Sequence, residues 1–196
     1  MKKQVYTYII YPLILVLLVL VLPLLKSRPE HNLDSMLFVK AMLFDKKDGE
    51  YALFVYSTDA ESGKEQFLYG SGKDVSSAVK SAEGGAYKNL FFPSAELLLL
   101  GDGITESDFL SLTQYAVKAP EFPLSVSVFR GGAELSSAKF ETVIDAVKAH
   151  GIGGKSRLWK QAELLLDEEK APFLLRVRED ESGKIYFEVD GLWKTS

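Results

Sequence analysis

One stretch constrains this chain more than any other. Val5 to Leu25 is 21 residues without a single charge. At about 1.5 Å rise per residue, a helix of that length spans roughly 30 Å, the thickness of a bilayer's hydrocarbon core. A helix apolar on every side has no stripe to turn toward water. Tyr6, Tyr8 and Tyr11 gather near one end, where amphipathic rings favour the membrane interface. Pro12 and Pro23 stand near the ends, where lost backbone hydrogen bonds cost least. A cleavable signal peptide has an apolar core of about 7–15 residues followed by a small-residue cleavage site. Here the core is longer, and Leu24-Leu25-Lys26-Ser27-Arg28-Pro29 offers no such site. The expectation is an uncleaved transmembrane anchor over residues 1–26. Lys2 and Lys3 favour a cytoplasmic N-terminus, although Lys26 and Arg28 weigh nearly equally against it. Short N-terminal anchors usually export the rest of their chain, so the remainder is expected to be extracytoplasmic.

That remainder is of ordinary globular size and composition, with 196 residues in all, 47% hydrophobic and 26% charged. All 27 acidic residues lie beyond the apolar stretch. Only Lys2 and Lys3 of the 23 basic residues precede it, so the remainder has a net charge of −6. Nucleic acid is not an expected partner, because phosphate contacts need clustered Lys and Arg. The absence of cysteine removes disulfides, thiolate catalysis, Cys-ligated zinc and a lipid-modified N-terminal cysteine.

Residues 27–35 read as a polar linker and 36–196 as a single α+β domain. The expected sheet is mixed or antiparallel, with helices packed on it. Met36 to Phe44 reads as a strand, with Leu37, Val39, Ala41 and Leu43 on one face. A turn at Asp45–Gly49 joins it to the strand Tyr51–Thr58. Phe67 to Tyr69 ends a short strand, and Asp74 to Glu83 is a helix stopped by Gly84-Gly85. Glu96-Leu-Leu-Leu-Leu100 lacks alternation, as a strand buried on both faces does. Thr105 and Asp108 form a loose capping box for a helix to Lys118, with Phe109, Leu112, Thr113, Ala116 and Val117 inward. Leu124, Val126 and Val128 suggest a half-buried strand. Two helices come next, from about Ser137 to His150 and from about Ser156 to Glu169. The second is expected to bury Leu158, Trp159, Ala162, Leu165 and Leu166. Phe173–Arg178 and Ile185–Val189 make a final hairpin, with Phe173, Leu175, Val177, Ile185, Phe187 and Val189 inward.

Chemistry-bearing motifs are few. Gly153-Gly-Lys-Ser156 resembles the end of a phosphate loop, but the first glycine of that pattern is replaced by Ala149 and the segment follows a helix. Gly70-Ser-Gly-Lys73 fails likewise, with Phe67 at the first glycine and Asp74 in place of Ser or Thr. Both read as turns. His31 and His150 are too few and too far apart in sequence for a metal site. Asp167-Glu-Glu169 and Glu179-Asp-Glu181 lack the spacing of a calcium loop. Ser77, Ser94 and Ser136 have no nucleophile-elbow setting. No catalytic, cofactor-binding or metal-ligating residue is assigned, and no enzyme or cofactor is expected. Tyr87, Phe91, Phe92, Phe122 and Trp193 are candidate interface aromatics, with a core position the expectation for all but Trp193.

From about Val39 to Glu134 the chain resembles the N-terminal domain of the Ger(x)C family, the C subunits of spore germinant receptors. The resemblance lies in an ordered series. It begins with Phe44-Asp45, Asp48-Gly49 and Glu50–Tyr56, then Gly70-Ser-Gly72 before a helix. Lys88–Phe92 leads to Glu96–Gly101, and Gly103-Ile104 opens the helix bearing Asp108-Phe109-Leu110. Ala119-Pro-Glu121 then precedes Leu124–Arg130 and Gly131–Glu134. Family members usually begin as lipoproteins, carry further domains and have His where Pro93-Ser94 stands here. The chain therefore reads as a truncated relative held by a helix instead of an acyl chain. The resemblance implies a non-enzymatic interaction protein on the outer face of the spore inner membrane, in complex with multi-spanning receptor subunits. An anchored envelope-assembly or secretion module is the alternative. A tethered cell-wall enzyme is a third reading that no catalytic constellation supports.

Overall fold

The computed structural model describes residues 33–131, 139–167 and 174–190. The expected anchor, most of the linker, Ser136, Phe173 and Trp193 lie outside them. Among the described residues no helix is long and apolar enough to cross a membrane.

The fold is α+β, with a mixed eight-stranded sheet and four α-helices among the described residues. A 3-10 turn at Leu33–Ser35 leads into β1 (Met36–Lys47). β2 (Glu50–Asp59) and β3 (Glu65–Gly72) continue from it as an antiparallel meander. Asp48 and Gly49 both have positive φ, 54° and 82°. That two-residue turn has the twist a tight hairpin needs. After helix α1 (Val75–Gly84) the chain returns to the other side of β1. There β4 (Asn89–Phe91) and β5 (Leu97–Leu100) pair in parallel with successive parts of it. Helix α2 (Glu106–Lys118) connects β5 to the parallel strand β6 (Ser127–Gly131). Helices α3 (Phe140–His150) and α4 (Leu158–Leu166) connect β6 to β7 (Leu175–Glu179), again parallel. β8 (Ile185–Val189) closes the sheet as an antiparallel edge.

Both faces of the sheet are covered. One core joins Leu53, Val55, Leu98, Leu100 and Val128 to Ala78 of α1, Phe109 and Leu112 of α2, and Leu158 of α4. The other joins Leu97, Leu99, Phe129 and Val177 to Phe140, Val143, Ile144 and Val147 of α3. Leu97 to Leu100 are all essentially inaccessible, as the unbroken Leu run predicts.

Sequence periodicity fails in two places. β1 does not alternate throughout, because the register shifts between Val39 and Ala41. This bulge puts Leu37, Val39, Met42 and Phe44 in one core and Ala41 and Leu43 in the other. A strict period of two would have grouped Leu37, Val39, Ala41 and Leu43. The inward stripes are also narrower than expected. Val117, Trp159, Leu166 and Val189 are exposed, at 67%, 44%, 74% and 64%. In α4 the buried positions are Leu158, Gln161 and Ala162, so the helix is rotated away from Trp159 and Leu166. Leu124 is also partly outside, at 37%.

Helix α1 starts on a side-chain cap. Asp74 Oδ1 accepts from Ser77 N at 2.7 Å, and Ser77 Oγ accepts from Asp74 N at 3.1 Å. Gly151, at φ 63°, ends α3 in the left-handed region. Gly70 has a different role. A Cβ there would lie inside the contact distance of Ala78 O and Ala82 N, in the α1 backbone, whereas one at Gly84 would meet nothing within 4 Å. Gly70→Ala is therefore expected to destabilise the fold by about 1–3 kcal/mol through forced separation of α1 and β3. Gly84→Ala is expected to change stability by less than about 1 kcal/mol. Urea-denaturation midpoints of the two variants check this, and equal midpoints would remove the close-packing role of Gly70.

Candidate functional site

Parallel pairing places the starts of β1, β5 and β6 along one edge of the sheet and their ends along the other. Each edge gathers polar groups.

At the ends of the strands, a buried carboxylate organises the junction. Asp108 is 4% exposed. Its Oδ1 accepts from Lys46 Nζ at 2.6 Å and from Tyr51 OH at 2.7 Å. Its Oδ2 accepts from Thr105 N at 3.0 Å and Thr105 Oγ1 at 2.7 Å. The capping box of α2 is thus also the clamp that holds α2 to the β1–β2 hairpin. Burial pushes this carboxyl up, but hydrogen bonds from Lys46, Thr105 and Tyr51 outweigh it and hold the group at about 2. Nearby, Asp45 Oδ1 accepts from Lys46 N at 2.8 Å and Gly103 N at 3.1 Å. Side chains at Gly101 and Gly103 would collide with Asp45 and the Lys46 carbonyl. Farther along the edge, Arg176 Nη1 donates to Asp102 Oδ1 at 2.6 Å. Its Nε and Nη2 donate to Asp190 at 3.3 Å each. Arg130 Nε also faces Asp190, at 3.1 Å.

At the starts of the strands, a cleft of about 420 Å³ opens between α3 and the sheet. Leu97, Ile144 and Val147 give it an apolar floor. Glu96, Lys148, Ser125, Ser127 and Arg157 give it a polar rim. Lys148 Nζ meets Glu96 Oε2 at 2.6 Å, and this pair also lines a neighbouring hollow of about 230 Å³ with Lys40, Tyr56, Glu141 and Asp145. The Tyr56 hydroxyl lies 2.7 Å from Glu141 and 3.0 Å from Glu65. Burial first, then these two carboxylates, pushes its ionisation far above the usual phenol range. The cleft offers charges and hydroxyls for binding, and neither a thiol nor an imidazole lines it.

The turn reading of Gly153-Gly-Lys-Ser156 holds, whereas Gly70-Ser-Gly72 is not a turn: it is the end of β3, paired with Leu53, Ala52 and Tyr51. Gly153 packs against Ser127 Oγ, and the segment closes with Lys155 N donating to Ile152 O at 3.1 Å and Ser156 N to Gly153 O at 3.3 Å. Ser156 is buried. Gly70 and Gly72 serve the contact with α1. His150 Nδ1 is 2.8 Å from the Ala146 carbonyl, and its ring meets Phe187 edge-on. Ser77 caps α1, and Ser94 Oγ lies within hydrogen-bond distance of the Val39 and Phe91 carbonyls, at 2.7 and 2.8 Å. In Glu179-Asp-Glu181, Asp180 Oδ1 accepts from Ser182 N, Ser182 Oγ and Lys184 N inside the hairpin turn. Glu179 pairs with Lys139. Of Asp167-Glu-Glu169 only Asp167 is described. Among the described residues no cluster of three His, Cys, Asp or Glu side chains suits a metal ion. Phe92 and Phe122 are core residues stacked on one another, Phe91 is half-buried, and Tyr87 is 62% exposed. The Tyr87 hydroxyl donates to Asp59 Oδ2 at 2.5 Å, which with Ser62 N and Lys88 holds that carboxyl well below the usual range.

The Asp108 geometry has a measurable pH signature. Its carboxyl titrates at about 2 in the fold against an ordinary value of 3.8. Stability gained from its charge is therefore full above about pH 4 and is lost as pH falls toward 2. Asp108→Asn is expected to lower stability at pH 7 by about 1–3 kcal/mol and to flatten the acid side of the stability curve. Urea unfolding from pH 7 down to pH 3 checks this. An acid limb as steep as in the unaltered chain would contradict the assignment.

Several of the residues that carry the Ger(x)C resemblance belong to this frame. Asp45, Gly101, Gly103 and Asp108 build the junction at the strand ends, and Gly70 and Gly72 seat α1. A family model described as the spore germination protein N-terminal domain matches residues 29–134, more than half the chain. No curated protein and no solved structure matches the chain. The chain belongs to the family of spore germination proteins defined by that N-terminal domain.

Proposed function

We propose that this protein is a membrane-anchored, non-enzymatic component or accessory of a spore germinant-receptor complex. The observation that carries the reading is the family match over residues 29–134. The uncharged segment Val5–Leu25 supports an anchor, since it has the length and composition of a bilayer span. In this reading the domain stands on the outer face of the spore inner membrane and binds multi-spanning subunits of the receptor. It assembles or tunes the response to nutrients and performs no chemistry of its own.

Cross-linking of the tagged full-length protein in membranes of sporulating cells, with subsequent purification, tests this. Multi-spanning germinant-receptor subunits are expected to co-purify. Deletion of the gene is expected to slow nutrient germination while leaving vegetative growth unchanged. Recovery of envelope-assembly proteins without receptor subunits, together with normal nutrient germination, would overturn the proposal.

A further inference from the structure

The exposure of Trp159, unexpected from helical periodicity, marks a second surface. Residues 146–162 contain Lys148, His150, Lys155, Arg157 and Lys160 and no acidic residue, in a chain of net charge −4. Lys148 is paired with Glu96. Lys155, Arg157 and Trp159 are exposed, and Lys160 Nζ lies 5.3 Å from the centre of the Trp159 ring. Trp159 N donates to Leu124 O at 3.1 Å, which ties the start of α4 to the segment before β6, and both side chains are partly exposed. Glu163, on the same helix, and Asp167, just after it, line one hollow together with Lys155, Trp159 and Lys160.

The position of this surface is set by topology. Leu124 and Val126 precede β6, and Leu158 N donates to Val126 O at 2.9 Å. β1, β5 and β6 are parallel, with Ala41, Leu97 and Ser127 level in the sheet. The basic, Trp-bearing turn thus lies on the edge of the domain at which β1 begins. Residues 26–35 separate Leu25 from Met36, and ten residues span at most about 35 Å even when fully extended. The other side of that edge, near β2 and β3, sets two carboxylates, Asp59 and Glu61, against Lys88, whereas Lys155, Arg157 and Lys160 stand on the β6–α4 side.

We propose that Lys155, Arg157, Trp159 and Lys160 form a contact surface for anionic phospholipid headgroups, resting the β6–α4 side of the domain on the bilayer. An exposed indole suits the interface region, and cations around it suit a negatively charged leaflet. The inference rests on the anchored reading above, and supplies it with an orientation.

The test uses the full-length chain with Trp193→Phe, which leaves Trp159 as the single tryptophan of the two present. The protein is reconstituted into vesicles of phosphatidylcholine alone or with phosphatidylglycerol, both carrying a lipid with a headgroup nitroxide quencher. Flotation reports anchoring, and quenching of indole fluorescence reports contact of this surface. The expected result is flotation in both, with quenching at least twofold stronger when phosphatidylglycerol is present. That excess is expected to vanish in high salt and in the triple variant Lys155→Glu, Arg157→Glu and Lys160→Glu. An unchanged thermal transition establishes that the triple variant is folded. A chain that floats with Trp159 unquenched, or equally quenched in the triple variant, overturns the lipid surface and leaves the anchor standing. A chain that does not float overturns both.

Discussion

The architecture depends on one strand that has no solvent face. Leu97 to Leu100 are covered by helices on both sides, and β5 is flanked by parallel strands on both edges. A strand in that position requires layers above and below it, and parallel neighbours require helical crossovers. α1 and α2 accordingly pack against one face and α3 against the other, with α4 returning to the first. The antiparallel meander β1–β3 and the edge hairpin β7–β8 extend the sheet on either side of this parallel centre.

Burial alone does not fix how α2 meets the sheet. Apolar contacts are nondirectional, whereas Asp108 accepts from groups on the hairpin and on the helix start at once. The carboxylate remains charged because its donors outweigh its desolvation. Gly101 and Gly103 allow the backbone close enough for Asp45 to reach across. Four residues of the family resemblance, Asp45, Gly101, Gly103 and Asp108, thus sit where backbone approach and buried charge leave few alternative residues. Those residues set how the elements sit against one another. The exposed surfaces, where a partner or a membrane would be met, lie largely elsewhere.

This separation explains what kind of functional reading the chain permits. Of the motifs that first attract attention, Gly153–Ser156 and Asp180 sit in turns where polar groups satisfy local backbone, and Gly70–Gly72 is the end of a strand packed on α1. The cleft at the strand starts draws on Glu96, Ser125, Ser127, Lys148 and Arg157, spread over some sixty positions. No short motif announces it. The same holds for the surface around Trp159. Its acid-free run is visible in sequence, yet its edge position appears only once β6 and β1 are known to be parallel.

Sequence by itself determined the elements whose signals are local. The Asp-Gly hairpin turn, the capping box at Thr105 and the Gly151 terminator each arise from interactions within a few residues, and the unbroken Leu run marks a strand for burial on both faces. The α+β class and the family emerge from the order of those signals. Only the tertiary structure decided which way each face turns. A bulge after Val39 reassigns the residues of β1 between two cores. A rotation of α4 buries Gln161 and exposes Trp159. The reason is physical: periodicity specifies that a face exists, while its width and direction are set by the helix or strand packed against it. Those neighbours come from distant parts of the chain, and no local window contains them.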